Sequence, residues 1–116
     1  RGMFELEQRD NPDTTSPTVT VTSPKGGETL SINSQFEISW QATDDSDIRS
    51  QEIALSTDAG VTFPRVIVAG LAGATRSFRW TIPETPTQQA RIQVSASDLA
   101  GNIGRAASAG NFTIQT

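Results

Sequence analysis

The stretch Phe36-Glu37-Ile38-Ser39-Trp40-Gln41-Ala42 alternates apolar and polar residues without a break. A period of two puts Phe36, Ile38, Trp40 and Ala42 on one face of a β-strand and the polar residues on the other. The same alternation extends outward in both directions. Upstream, Val19 and Val21 alternate with Thr18, Thr20 and Thr22; after a Ser23-Pro24-Lys25-Gly26-Gly27 turn, Leu30 and Ile32 continue it. Downstream, Ile53 and Leu55 run to Asp58-Ala59-Gly60, and Val66-Ile67-Val68 is closed by Gly70 and Gly73. Phe78, Trp80 and Ile82 stop at Pro83, and Ala90, Ile92, Val94 and Ala96 run into Asp98-Leu99-Ala100-Gly101-Asn102. Phe112 and Ile114 face inward on the last strand. No segment carries a 3.6-residue apolar stripe of helical length. Seven short strands separated by turn signals predict an all-β fold, a seven-stranded antiparallel two-sheet sandwich. About fifteen inward side chains, at roughly 1.5–3 kcal/mol each, offset much of the ordering entropy.

Composition agrees and removes several kinds of chemistry. One hundred and sixteen residues make one domain with little left over. Serine and threonine together number 27, which suits solvent-facing strands better than helices. There is no cysteine, hence no disulfide framework, Cys-based zinc site or thiol nucleophile. The absence of histidine removes the usual general base and the His-based metal motifs. Tyrosine is absent too, so there is neither a Tyr nucleophile nor a tyrosine corner. No apolar run reaches the roughly 18 residues that span a bilayer, and no signal-peptide pattern is present. The net charge is −4, and the basic residues from Lys25 onward are scattered rather than striped. Neither nucleic-acid binding nor membrane insertion is expected.

The N-terminal residues read differently. Asp10-Asn11-Pro12-Asp13-Thr14-Thr15-Ser16-Pro17 is polar and turn-rich, and residues 7–17 read as an extended linker. Before it, Gly2-Met3-Phe4-Glu5-Leu6 shares the form Gly-x-Phe-x-aliphatic with Gly110-Asn111-Phe112-Thr113-Ile114. The separation of about 108 residues is close to the length of one sandwich. Residues 1–6 therefore read as the last strand of a preceding, similar module in a tandem array, or as a short tail, with residues 18–116 forming the sandwich.

Trp40 lies on the second of the seven strands. In immunoglobulin domains the buried tryptophan sits on the third, beside a disulfide; the second-strand tryptophan in Phe36-Glu37-Ile38-Ser39-Trp40 resembles the fibronectin type III pattern more closely. Ser23-Pro24-Lys25-Gly26-Gly27-Glu28, Ile38-Ser39-Trp40 and Leu55-Ser56-Thr57-Asp58-Ala59-Gly60-Val61-Thr62-Phe63-Pro64 resemble an immunoglobulin-like or type III-like module of bacterial secreted and surface proteins. Trp80-Thr81-Ile82-Pro83, Ala90-Arg91-Ile92-Gln93-Val94 and Asn111-Phe112-Thr113-Ile114 extend the resemblance over nearly all of residues 18–115. Two departures stand out: Ala59, where glycine is common in such modules, and Leu30, where an aromatic is common. The resemblance implies an extracellular setting, often behind a secreted metallopeptidase or in a surface array.

Candidate sites are few. Catalysis would need a tight constellation of the remaining acids, hydroxyls, arginines and Lys25, and no glutamate adjoins an apolar cluster that would raise its pKa. Sugar binding needs exposed flat aromatics. Phe36, Trp40, Phe78, Trp80 and Phe112 share the core parity, and only Phe63 lies off it. One concentration of oxygen donors remains. Antiparallel succession brings Asp44, Asp45 and Asp47 to the same pole as Asp98, Asn102 and the linker residues Asp10 and Asp13. They could bind Ca²⁺, which takes six to eight oxygen ligands, or bond their own turns, with Asp98 capping its loop through an Asx motif. The Asn111-Phe112-Thr113 sequon carries a core phenylalanine, so no glycan is expected. If the strand of Val66–Val68 is an edge, Ile67 would be exposed or covered by a neighbour, with Arg65 as a flanking gatekeeper.

The expectation is a non-catalytic extracellular module, a spacer or interaction unit with neighbouring domains of its own polypeptide as partners. The alternative is an accessory module that targets an attached hydrolase to surface polysaccharide or protein. No cofactor is expected beyond the Ca²⁺ alternative.

Overall fold

A computed structural model describes residues 16–43 and 47–116. The described residues form nine strands: β1 Thr18–Ser23, β2 Thr29–Ser31, β3 Gln35–Thr43, β4 Ile48–Ser56, β5 Arg65–Ala72, β6 Ser77–Thr81, β7 Thr87–Asp98, β8 Ile103–Ala107 and β9 Phe112–Gln115. One sheet has the order β1-β3-β6 and the other β2-β9-β7-β4-β5, with β8 also pairing along β7. The sandwich read from the alternation is therefore present. The first of its seven strands is divided in two, and the last is preceded by a further strand, β8, from which a break over residues 108–111 separates it.

Both breaks have a physical cause. After β1 the chain leaves its sheet through Pro24–Glu28 and enters the other as β2, which runs parallel to β9. The Glu28 carboxylate fixes the crossover by accepting the Lys25 N–H at 2.7 Å and the Gly26 N–H at 2.7 Å. Gly26 has φ +130° and lies so close to Gly110 that a Cβ would meet its backbone at 2.7 Å. The close approach sits at the break between β8 and β9. There the Gly27 N–H donates to the Asn111 carbonyl at 2.7 Å and the Gly110 N–H to the Lys25 carbonyl at 2.9 Å. The ladder continues across the break through Ser108: its N–H donates to the Ile92 carbonyl, and its Oγ accepts the Ile92 N–H.

Fifteen buried apolar residues among those described make one core between the sheets, including Ile38, Trp40, Ile53, Leu55, Trp80, Ile92 and Phe112. Trp80 and Phe112 meet edge to face, ring centroids 6.1 Å apart and planes at 83°. Phe36 and Phe78, of the same parity, are half-buried and pack against this core.

β5 is an edge strand, paired among the described residues only with β4. The exposed residue there is Val66 rather than Ile67, which is half-buried against the core. A register shift between Ile53 and Ala54 sets Val66 opposite the outward Ala54. Arg65 is exposed at the start of that edge.

Candidate functional site

Three loops meet at the pole where β1 begins. Gly73 lies directly against the Ile48 carbonyl, and Gly104 directly against the Pro17 carbonyl; a Cβ at either would overlap that oxygen. The Arg76 guanidinium ties the pole together by donating to the carbonyls of Gly73 at 2.6 Å, Thr75 at 2.7 Å and Ala42 at 3.0 Å. Beneath it, the buried Gln51 side chain accepts the Trp40 indole N–H at 2.7 Å and donates to the carbonyls of Ala72 and Thr75, each at 2.8 Å. One amide thereby joins the core of one sheet to the edge hairpin of the other. Leu99, at the tip of the 98–102 turn, is 64% exposed on this pole.

The acidic residues expected here are put to different uses. Asp98 is fully buried; its Oδ1 accepts the Asn102 N–H at 2.8 Å and its Oδ2 the Asn102 side-chain amide at 3.2 Å. This is the turn-capping role read from the sequence. Asp47 is exposed, and its main-chain carbonyl accepts the Leu99 N–H. Asp10, Asp13, Asp44 and Asp45 lie outside the described residues. Among the described residues, no three acidic side chains converge as metal ligands would. Asp58 belongs to another loop, where its carboxylate is held ionised. Hydrogen bonds from the Ser56 hydroxyl, then from the Thr62 hydroxyl and backbone N–H, lower its pKa from 3.8 to about 2. An acid so held cannot deliver a proton near neutral pH. The same loop places Ala59 at φ +61°, which gives a steric reason for glycine at this position in similar modules.

The outer face of the β5-β4-β7-β8 sheet carries a concave feature, a trough of about 330 Å³. Cross-strand register builds it in rows: Ser50, Ser97 and Ile103, then Glu52, Ser95 and Arg105, then Ala54, Gln93 and Ala107. Phe63 lines one end, half-buried. Trp40 and Trp80 are 1% and 4% exposed, so neither is available as a stacking platform.

A family model described as bacterial Ig domain matches residues 17–94. The chain belongs to the bacterial Ig domain family. Among solved structures, this Ig domain is similar to the fibronectin(III)-like modules of Clostridium thermocellum CbhA, with a TM-score of 0.65 and 22% sequence identity. That match covers 86% of this chain and 47% of the other, so the Ig domain spans about half the length of the structure it resembles. At this identity the likeness concerns the fold alone. A comparison with curated proteins finds no significant match.

Two groups at these sites escape sequence reasoning. Gln51 has the inward parity of Ile53 and Leu55, and that parity was the available signal for its burial. The Glu52-Ser95-Arg105 row leaves no local signal, because it exists only once strand register is known.

Proposed function

We propose that this Ig domain is a non-catalytic module that sets the spacing and direction of its neighbours within a larger secreted or surface-attached bacterial protein. The observation that carries the reading is the path of the chain. It enters at the pole where Pro17 lies against Gly104. It leaves at the other, where Gln115 pairs with Ser31 and its carbonyl accepts the Ile32 N–H. β7, 12 residues long, connects the two poles, and at about 3.3 Å per residue it holds them roughly 40 Å apart. Modules joined through such ends extend rather than fold back. No helix among the described residues is long and apolar enough to cross a membrane. Neighbouring domains of the same polypeptide are the primary partners, and the loop pole with its exposed Leu99 is the surface one of them would meet.

The test is small-angle scattering from two copies of residues 1–116 joined in tandem. An increase in maximum dimension of about 40 Å over the single copy supports the reading. An increase below about half that figure means the copies fold back on one another and contradicts it. The outer-face trough favours a second role, as a surface that holds a ligand while the poles hold the neighbours.

A further inference from the structure

We infer that the outer face of the β5-β4-β7-β8 sheet is a binding site for a neutral oligosaccharide, centred on Glu52, Ser95 and Arg105. The inference goes beyond the module reading and does not depend on it.

The middle row of the trough is the reason. Glu52 and Arg105 are exposed, and the half-buried Ser95 separates them in the cross-strand register. Two inter-strand spacings put their backbones about 9.5 Å apart. Opposite charges on one sheet face ordinarily pair when they are directly adjacent. Here the interposed serine holds them apart, and neither side chain has a hydrogen-bond or ion-pair partner among the described residues. The Gln93 side-chain amide beside them is also unpartnered there. A carboxylate, a guanidinium and an amide thus border one hollow, each open to solvent and without a protein partner among the described residues.

The hollow can hold a ligand. Its volume of about 330 Å³ lies within the range of small-molecule sites. Its floor is made of small side chains, Ser50, Ser95 and Ala54. On the β5 side Gly70 leaves open space where a Cβ would stand. Phe63 at one end and Ile103, 44% exposed, at the other supply apolar surface.

Charge balance selects the ligand class. An anionic ligand would meet Glu52, and a cationic one would meet Arg105. A neutral ligand rich in hydroxyls suits both, donating to the carboxylate and accepting from the guanidinium and amide. The apolar C–H face of a sugar ring would lie against Phe63. A neutral saccharide carries all of these groups on one ring.

The experiment uses ¹⁵N-labelled residues 1–116 and records amide shifts on titration with cellohexaose, xylohexaose, mannohexaose and chitohexaose. Oligogalacturonate and chitosan oligomers are the charged comparisons. The expected result is saturable shifts, confined to the rows around Glu52, Ser95 and Arg105, with at least one neutral hexasaccharide at millimolar concentration. Arg105→Ala and Glu52→Gln alter exposed side chains and should each weaken that binding at least tenfold with unchanged melting. Three results would overturn the inference: no shifts with any neutral member, shifts mapping to another surface, or tighter binding of a charged oligomer. None of the three would touch the tandem-scattering result, so the two readings fail separately.

Discussion

Replacing Gln51 by leucine probes the join between the two sheets. Gln51 is 2% exposed, and its amide is the acceptor for the indole N–H of Trp40, a residue 1% exposed. Leucine matches the volume but offers that N–H nothing. The same change removes the donor from the Ala72 and Thr75 carbonyls. Those carbonyls lie near the surface of the pole, where water can replace the amide, so the buried N–H dominates the cost. A buried donor left unsatisfied costs about 1–3 kcal/mol, and with two partly rehydrated carbonyls the total comes to about 2–4 kcal/mol. For a domain of this size that corresponds to a fall in Tm of at least about 8 °C. Urea unfolding followed by tryptophan fluorescence measures the free energy, and calorimetry the Tm. Trp40→Phe completes a double-mutant cycle. Because phenylalanine has no N–H to orphan, Gln51→Leu should cost less in that background by about 1–3 kcal/mol. A loss within 0.5 kcal/mol of the parent for Gln51→Leu, or additive single changes, would refute the reasoning.

Other expectations follow from the turns and the crossover. Glu28→Ala removes both bonds that fix the Lys25–Gly26 turn and should lower stability by about 1–3 kcal/mol, read by urea unfolding. Gly104→Ala drives a methyl group into the Pro17 carbonyl and should lower Tm more than Glu28→Ala does, because backbone rather than a flexible side chain must move. Ala59→Gly relieves the left-handed backbone at φ +61° and should raise stability by up to about 1 kcal/mol in the same assay. Asp58 has a folded-state pKa depressed to about 2, so its stabilising contribution is present above pH 3.8 and is lost as pH falls through 2. The stability difference between the parent and Asp58→Asn should therefore shrink between pH 4 and pH 2, and a constant difference would contradict the assigned hydrogen bonds.

How far the sequence revealed this depended on side-chain size. Strands built on Ile38 and Trp40, or on Ile92 and Val94, carry large inward residues at strict period two, so they are legible in the sequence. β8 was not. Its inward positions are Gly104 and Ala106, too small to mark a face, so the alternation assigns no strand to 103–107. The split of the first strand was hidden for a different reason. Leu30 and Ile32 alternate with polar residues as Val19 and Val21 do, and alternation does not tell which sheet a strand joins. The Ser23-Pro24-Lys25-Gly26-Gly27-Glu28 motif was visible as a turn, while the reach of Glu28 back to its own glycine turn was not. At the loop pole, Asp98 reads as capping its own turn through an Asx motif, and the partner it holds there is Asn102, four residues on. The Glu52-Ser95-Arg105 row comes from three distant strands, and register alone unites it.

The chain's lack of cysteine makes the central geometric claim directly measurable, because introduced thiols are the only ones present. Spin labels at Leu99→Cys, on the exposed loop tip, and Gln115→Cys, on the exposed end of β9, report the pole-to-pole distance by pulsed electron resonance. The account predicts a single distribution centred near 40 Å, the span of β7. A centre below about 25 Å would place both ends of the domain on one side and contradict the module as an extending unit.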